Sequence, residues 1–211
     1  MRSIRFICAL VFLAALVACN DNNPQAAKSA EPAKPAKKEP MLYAGREAFQ
    51  KMYVSAHMWV PDARPYLLES VVNAESNGHD GRASVWRGGF ASLSRHGLKG
   101  FLWSGSQLPE APSLGISSGV EDMYNPSNSS TQAFDIGFLK IDSDKAYETA
   151  LKHGGDKLIK ANPNQSVAYT LGWSPHENIL TWHVIFGTGL QDAKLRIAVN
   201  ASTGEYIRTE M

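Results

Sequence analysis

Cysteine is nearly missing from this chain: its 211 residues hold two, Cys8 and Cys19, and none beyond residue 19. The body of the protein therefore has no disulfide framework, no thiolate nucleophile and no cysteine metal site. An excess of one charge is missing too. Lys plus Arg number 21 and Asp plus Glu 20, a formal net charge of +1, which gives no field to gather nucleic acid or another polyanion. The apolar run from Phe6 to Ala18 falls short of the ~20 residues that a membrane-spanning helix needs. The six histidines show no H-x-x-x-H or H-E-x-x-H spacing, and no glycine-rich phosphate loop is present. Nucleic-acid partners, thiol chemistry and zinc catalysis are not expected, and neither is any cofactor or metal.

What is present is the balance of a soluble globular body of one or two small domains: 44% hydrophobic, 19% charged and 9% aromatic residues. Ahead of it, residues 1–18 pair a basic start (Arg2, Arg5) with an apolar run of secretory-signal length; an uncleaved signal anchor is the alternative. The run ends in Leu16-Val17-Ala18-Cys19, which resembles the lipobox of bacterial lipoproteins. The resemblance implies cleavage before Cys19, a diacylglycerol on its thiol and an acyl chain such as palmitate on the new amino group. Two or three chains at ~0.8 kcal/mol per buried methylene give stable anchoring. Asn20 after the cysteine implies an outer-membrane lipoprotein facing the periplasm. Loss of Arg2 and Arg5 leaves 19 basic against 20 acidic residues, a net charge of −1. Residues 19–40, rich in Asn, Ala, Pro, Lys and Glu, cannot bury enough apolar surface to fold. They read as a lipid-anchored tether, about 25 Å long as a coil and up to about 65 Å if stiffened by proline.

The body divides into 41–136 and 137–211. Phe49, Met52, Tyr53, Ala56, Trp59 and Val60 recur at helical spacing and stop before Pro61. Residues 66–72 read as a strand, and 82–94 with 98–104 as a hairpin around Arg95-His96-Gly97. Residues 105–133 are rich in Ser, Gly and Pro and read as one long loop. Phe134, Ile136 and Phe138 alternate as a strand. Ser143 is the expected N-cap of a second helix, with apolar face Tyr147, Ala150, Leu151, Leu158 and Ile159 and a stop or bend at Gly154-Gly155. Strands follow at 166–173, 179–187 and 195–200, then a short Tyr206-Ile207. Helix and three strands thus occur twice, with Trp86 matching Trp182, Phe90 matching Phe186 and Leu98 matching Leu195. The expected class is α+β, two tandem α-β-β-β halves, each a helix on an antiparallel sheet.

The second half resembles the PepSY-like domains of bacterial envelope proteins over about 70 residues. The likeness rests on Asp142-Ser143-Asp144-Lys145-Ala146, Gly154-Gly155, Thr181-Trp182-His183-Val184 and Ala198-Val199-Asn200-Ala201-Ser202-Thr203-Gly204-Glu205. Asn200 stands where aspartate is commoner. The resemblance implies a non-enzymatic module that binds or inhibits an envelope protein such as a peptidase.

Chemistry is thinner. Gly115-Ile116-Ser117-Ser118-Gly119 matches the G-x-S-x-G nucleophile elbow, with Asp122, Asp135, His153, His176 and His183 following in hydrolase order, but nothing around it reads as the strand-turn-helix that the motif needs. His183 is expected on the strand face opposite the core. Trp103 and Trp173, at strand ends, are candidate partner contacts if their rings are partly exposed, and so are Met123 and Tyr124 in the long loop. The expectation is an envelope binding module with a protein partner; the alternatives are a structural or assembly lipoprotein and a serine hydrolase centred on Ser117.

Overall fold

The computed structural model describes residues 38–210; the expected signal peptide, Cys19 and the tether up to residue 37 lie outside the described residues. The body is a mixed α+β structure. Its strands are β1 (Tyr43–Ala44), β2 (Arg64–Ser70), β3 (Arg82–Ala83), β4 (Val85–Ser92), β5 (Gly97–Ser104), β6 (Gly115–Met123), β7 (Val167–Ser174), β8 (Ile179–Phe186), β9 (Leu195–Asn200) and β10 (Tyr206–Glu210). Eight of them form one antiparallel sheet in the order β10-β9-β8-β7-β2-β4-β5-β6, and β1 pairs with β3. Helix α1 (Gly45–Trp59) precedes β2, β4, β5 and β6. Helices α2 (Ser143–Ala150) and α3 (Asp156–Ala161) precede β7 to β10. Four strands of the large sheet therefore follow each helical segment: the fourth is β6 in the first case, where a loop is expected, and in the second β10, which extends the expected short Tyr206-Ile207 to Glu210.

The helices lie on one face of the sheet. Ala48, Phe49, Met52 and Ala56 of α1, at spacings of one helical turn, are fully buried in one core with Trp86, Phe90 and Phe101. Ala146, Tyr147 and Ala150 of α2 join the same core beside Trp182, Val184 and Ile197. The second helix does bend where the glycines stand: Gly154 takes φ +113°, which glycine adopts without strain, and α3 resumes at Asp156.

The middle of the sheet is held by two tryptophans. Trp86 and Trp182 meet edge to face with centroids 6.4 Å apart. Trp86 Nε1 donates to the Tyr43 carbonyl and Trp182 Nε1 to the Ile141 carbonyl, each at 2.9 Å, and each acceptor stands two residues before a helix start. Gly45 sits against both rings, and a Cβ there would stand 2.6 Å from Trp182 Cη2 and 3.1 Å from Trp86 Cη2. The two helix starts also meet. The Gly45 N–H donates to Ser143 Oγ and the Arg46 N–H to Asp142 Oδ1, both at 2.8 Å, so α2's first residues satisfy orphan donors of α1. Ser143 is thus not the N-cap of its own helix. Asp142 takes that position and accepts from the Ser143 N–H at 2.7 Å, while the Ser143 hydroxyl serves α1 and donates to the Gly81 carbonyl.

Two expectations are overturned. Residues 105–133 are not one loop, because Gly115–Met123 is the nine-residue strand β6, paired to β5 along its length. Residues 134–138 form no strand: Phe134 enters the core, and Ile136–Phe138 is a single tight helical turn capped by the Asp135 carboxylate on the Gly137 N–H.

Candidate functional site

Alternation along each strand sends half of its side chains away from the helices. This open face carries Leu67 and Glu69 of β2, Arg87 and Gly89 of β4, Leu98, Gly100 and Leu102 of β5, Thr170 and Gly172 of β7, His183 of β8, Arg196 of β9, and Arg208 and Glu210 of β10. Arg87 and Glu69 pair at 2.6 Å across its middle. A groove of about 630 Å³ lies beside them, floored by Leu67, Ala168 and Ile185 and walled by Val71, Val72 and the loop through Leu190. That volume falls in the ligand-site range.

The two edges of the sheet differ. At one, β10 is tied down by charge. Glu210, only 8% exposed at its side chain, accepts from His183 Nδ1 at 2.9 Å and also from Arg196 and Arg208. Arg208 reaches on to Glu177, which takes the Ser174 hydroxyl as well. Burial would raise the Glu210 carboxyl, but His183, Arg196 and Arg208 outweigh it and hold it below the ordinary glutamate value. Burial pushes His183 below the ordinary histidine value, with the two arginines adding to this and Glu210 opposing it. His183 faces away from the core, as its strand alternation predicts.

At the other edge, β6 is exposed on both faces, and no described residue pairs with its outer side. Ile116 and Ser118 lie opposite Trp103 and Phe101 on the helix side, Ser117 and Asp122 opposite Leu102 and Leu98 on the open side, and the register shifts between Lys99 and Phe101. Val120 is 91% exposed and Met123 83%. The strand is pinned at one end through Glu121, which accepts from Trp59 Nε1 at 3.0 Å and from Arg95 Nε at 3.1 Å. Those two bonds, the Arg95 one foremost, hold its carboxyl below the ordinary value. Gly97 leaves room for it, since a Cβ there would stand 2.7 Å from Glu121 Oε1. A strand held this way presents a row of outward N–H and C=O groups, the template on which another strand pairs.

The residues singled out by sequence fall in four different places. Met123 closes β6 with its side chain exposed. Tyr124 follows it and lines a separate pocket of about 220 Å³ with Asp62, Arg64 and Leu93. Trp103 is corrected: only 3% exposed, it stacks on Tyr43 at 4.1 Å because the chain at Met41 is bonded to Gly105 and folds over it. No face of that ring is left for a partner. Trp173 is half-buried against Phe138, centroids 5.5 Å apart, with its indole N–H lacking an acceptor among the described residues. Ser117 stands in mid-strand on β6 rather than on a strand-to-helix turn, and no hydrogen bond joins it to a histidine among the described residues. Sequence reasoning missed the β6 edge itself and the Glu210 cluster.

Comparison with protein-family models, with curated proteins and with solved structures returns no match. The functional reading therefore rests on the geometry.

Proposed function

We propose that the protein is a lipid-anchored binding module of the bacterial envelope, not an enzyme, and that it captures a protein partner by taking an extended segment of that partner as a ninth strand on β6. The observation that carries the reading is β6 itself: nine residues, exposed on both faces, with a free outer edge. Main-chain hydrogen bonds to such an edge supply affinity for a strand with little demand on its sequence. An edge this long and this free is a liability unless it is used. The Met123 N–H points away from β5, because it is the next N–H, that of Tyr124, that bonds the His96 carbonyl; Met123 donates instead to Asp122 Oδ1 at 2.7 Å, a local bond that an incoming strand can replace.

The anchor is part of the proposal. Cys19 carries the lipid, residues 19–40 space the body from the outer membrane, and β6 works on the periplasmic side. The resemblance to PepSY-like domains favours a peptidase or another envelope protein as partner. We read the body as tandem halves, 41–136 and 137–211. Support comes from the matched bonds of Trp86 and Trp182 to Tyr43 and Ile141, and from the Met41 N–H on the Gly105 carbonyl beside the Ile141 N–H on that of Ala201, each just past a third strand.

The test is a photo-crosslinking side chain at Val120, with the protein in its own envelope. The expected product joins Val120 to an extended segment of one envelope protein, and is lost both in Met123→Pro, which removes an outward N–H that β5 does not use, and in Cys19→Ala. Unchanged crosslinking in Met123→Pro overturns strand addition.

A further inference from the structure

Building on strand addition at β6, we propose that the segment it takes belongs to another protein and carries a lysine or arginine opposite Asp122. Among the nine residues of β6 the charged ones are Glu121 and Asp122, and none is basic. Glu121 is already neutralised by Arg95, with Lys99 close by. Asp122 has no cation among the described residues: its carboxylate turns back on the N–H of the next residue. The edge therefore ends in one uncompensated negative charge on an otherwise uncharged, small-residue strand. Opposite charges directly across a strand pair stabilise it, and like charges oppose it.

The same charge argues against a second copy as the occupant. Two β6 strands paired antiparallel about Gly119 set Asp122 across from Ile116 and Glu121 across from Ser117; paired parallel in register, they set Asp122 against Asp122. No such pairing supplies a cation. The basic residue on the opposite edge, Arg208, is committed to Glu177 and Glu210. An acidic edge of this kind discourages pairing with itself.

A second feature describes the incoming strand. Beside β6 on the open face lies a cavity of about 360 Å³ lined by Arg87, Gly100, Leu102, Pro112, Ser117 and Gly119. A Cβ at Gly100 would meet nothing within 4 Å. Arg87 is answered by Glu69, so the space calls for no anion. A side chain from the incoming strand reaches it over Gly119, which has none of its own to block the way. Since strand side chains alternate with period two, an apolar residue at an even spacing from the base falls on this same face.

Two capped nonapeptides alternating threonine and valine, one with a central lysine and one with a central glutamate, test the proposal by NMR titration against the full chain at low ionic strength. The lysine peptide binds about fivefold tighter than its glutamate twin; Asp122→Asn brings the two together, and Asp122→Lys inverts their order. Equal binding of both peptides, lost together in Met123→Pro, overturns the basic preference and leaves strand addition standing. If neither peptide binds and the chain is monomeric, or if Met123→Pro binds as the parent chain does, strand addition fails with it. A dimer that Met123→Pro dissolves, in a chain that takes up neither peptide, makes the occupant a second copy and overturns the proposal.

Discussion

The two edges of the eight-stranded sheet meet the same problem in opposite ways. Every edge strand leaves main-chain groups unpaired. At β10 the answer is side-chain charge: five residues, of which Arg208 and Glu210 are woven into His183, Arg196 and Glu177. At β6 the strand is nearly twice as long, its side chains up to Val120 are small or apolar, and its tie among the described residues is Glu121, close to one end. The difference teaches which edge is architecture and which is available. The charged side chains of β10 are already spent on fastening it to the sheet, whereas β6 is fastened at one end and leaves Asp122 uncommitted to a cation among the described residues.

The largest effect expected from breaking this contrast is at Glu210. Glu210→Ala leaves His183, Arg196 and Arg208, all partly open to water, without their shared and more deeply buried acceptor. Removing the shared partner of such a half-exposed cluster costs about 1–3 kcal/mol, less than for a fully buried pair, measured as a shift of the urea midpoint with unchanged slope. Amide hydrogen exchange should accelerate in β10 and β9 and stay constant in β6. If β6 loosens equally, the edges are not independent. Glu210→Gln, which keeps an acceptor and loses the charge, should fall between the two.

Acid sharpens the same contrast without a mutation. The Glu210 carboxyl is depressed, so its contribution is present above the unfolded value of 4.5 and lost as the pH falls through its lower folded value. His183 is depressed as well, so the unfolded chain binds its proton first and stability declines as the pH drops below 6.5. Both signs agree: between pH 7.5 and pH 5 the His183 part acts alone, and Glu210 adds to it below. Exchange at β10, corrected for intrinsic rates, should rise over the upper window in the parent chain and stay flat in His183→Gln. A flat parent profile would show that His183 does not couple to the fastening of β10.

This contrast also marks what could be read from the sequence. Strands with one face in the core, such as β4, β5 and β8, announce themselves through Trp86 with Phe90, Phe101 with Trp103, and Trp182 with Val184. Helix α1 does the same through Phe49, Met52 and Ala56. Edge strand β6 has water on both faces, so no period-two pattern is selected, and Gly115-Ile116-Ser117-Ser118-Gly119 reads as a loop or as a nucleophile motif. The one local signal was the β-branched pair Ile116 and Val120. Trp103 misled for another reason: what buries it is Tyr43, sixty residues away in sequence, and no local window contains that stack. Ser143 read correctly as a capping residue but not as to which helix it serves, because the meeting of the two helix starts is a tertiary fact. Strand alternation puts His183 on the right face, yet its partners Glu210, Arg196 and Arg208 become visible only when the sheet registers are known.

The smallest expected effect concerns the hairpin on which β6 hangs. Asp62, in the turn after α1, accepts from the Ser94 N–H at 2.9 Å and from the Ser92 and Ser94 hydroxyls, both at 2.7 Å, and so clasps the β4–β5 turn. The Ser94 N–H foremost, then the two hydroxyls, hold its carboxyl down to about 2, from an ordinary 3.8. The stabilisation is therefore present above pH 3.8 and lost as the pH falls through about 2. Because the carboxylate is open to solvent, Asp62→Asn should cost less than about 1 kcal/mol at pH 7, and the deficit should vanish near pH 2. If β6 depends on this turn for its register against β5, the same substitution should weaken strand capture several-fold while leaving β10 exchange untouched. Should capture be unaffected, the Glu121 tie alone suffices to hold β6 in register.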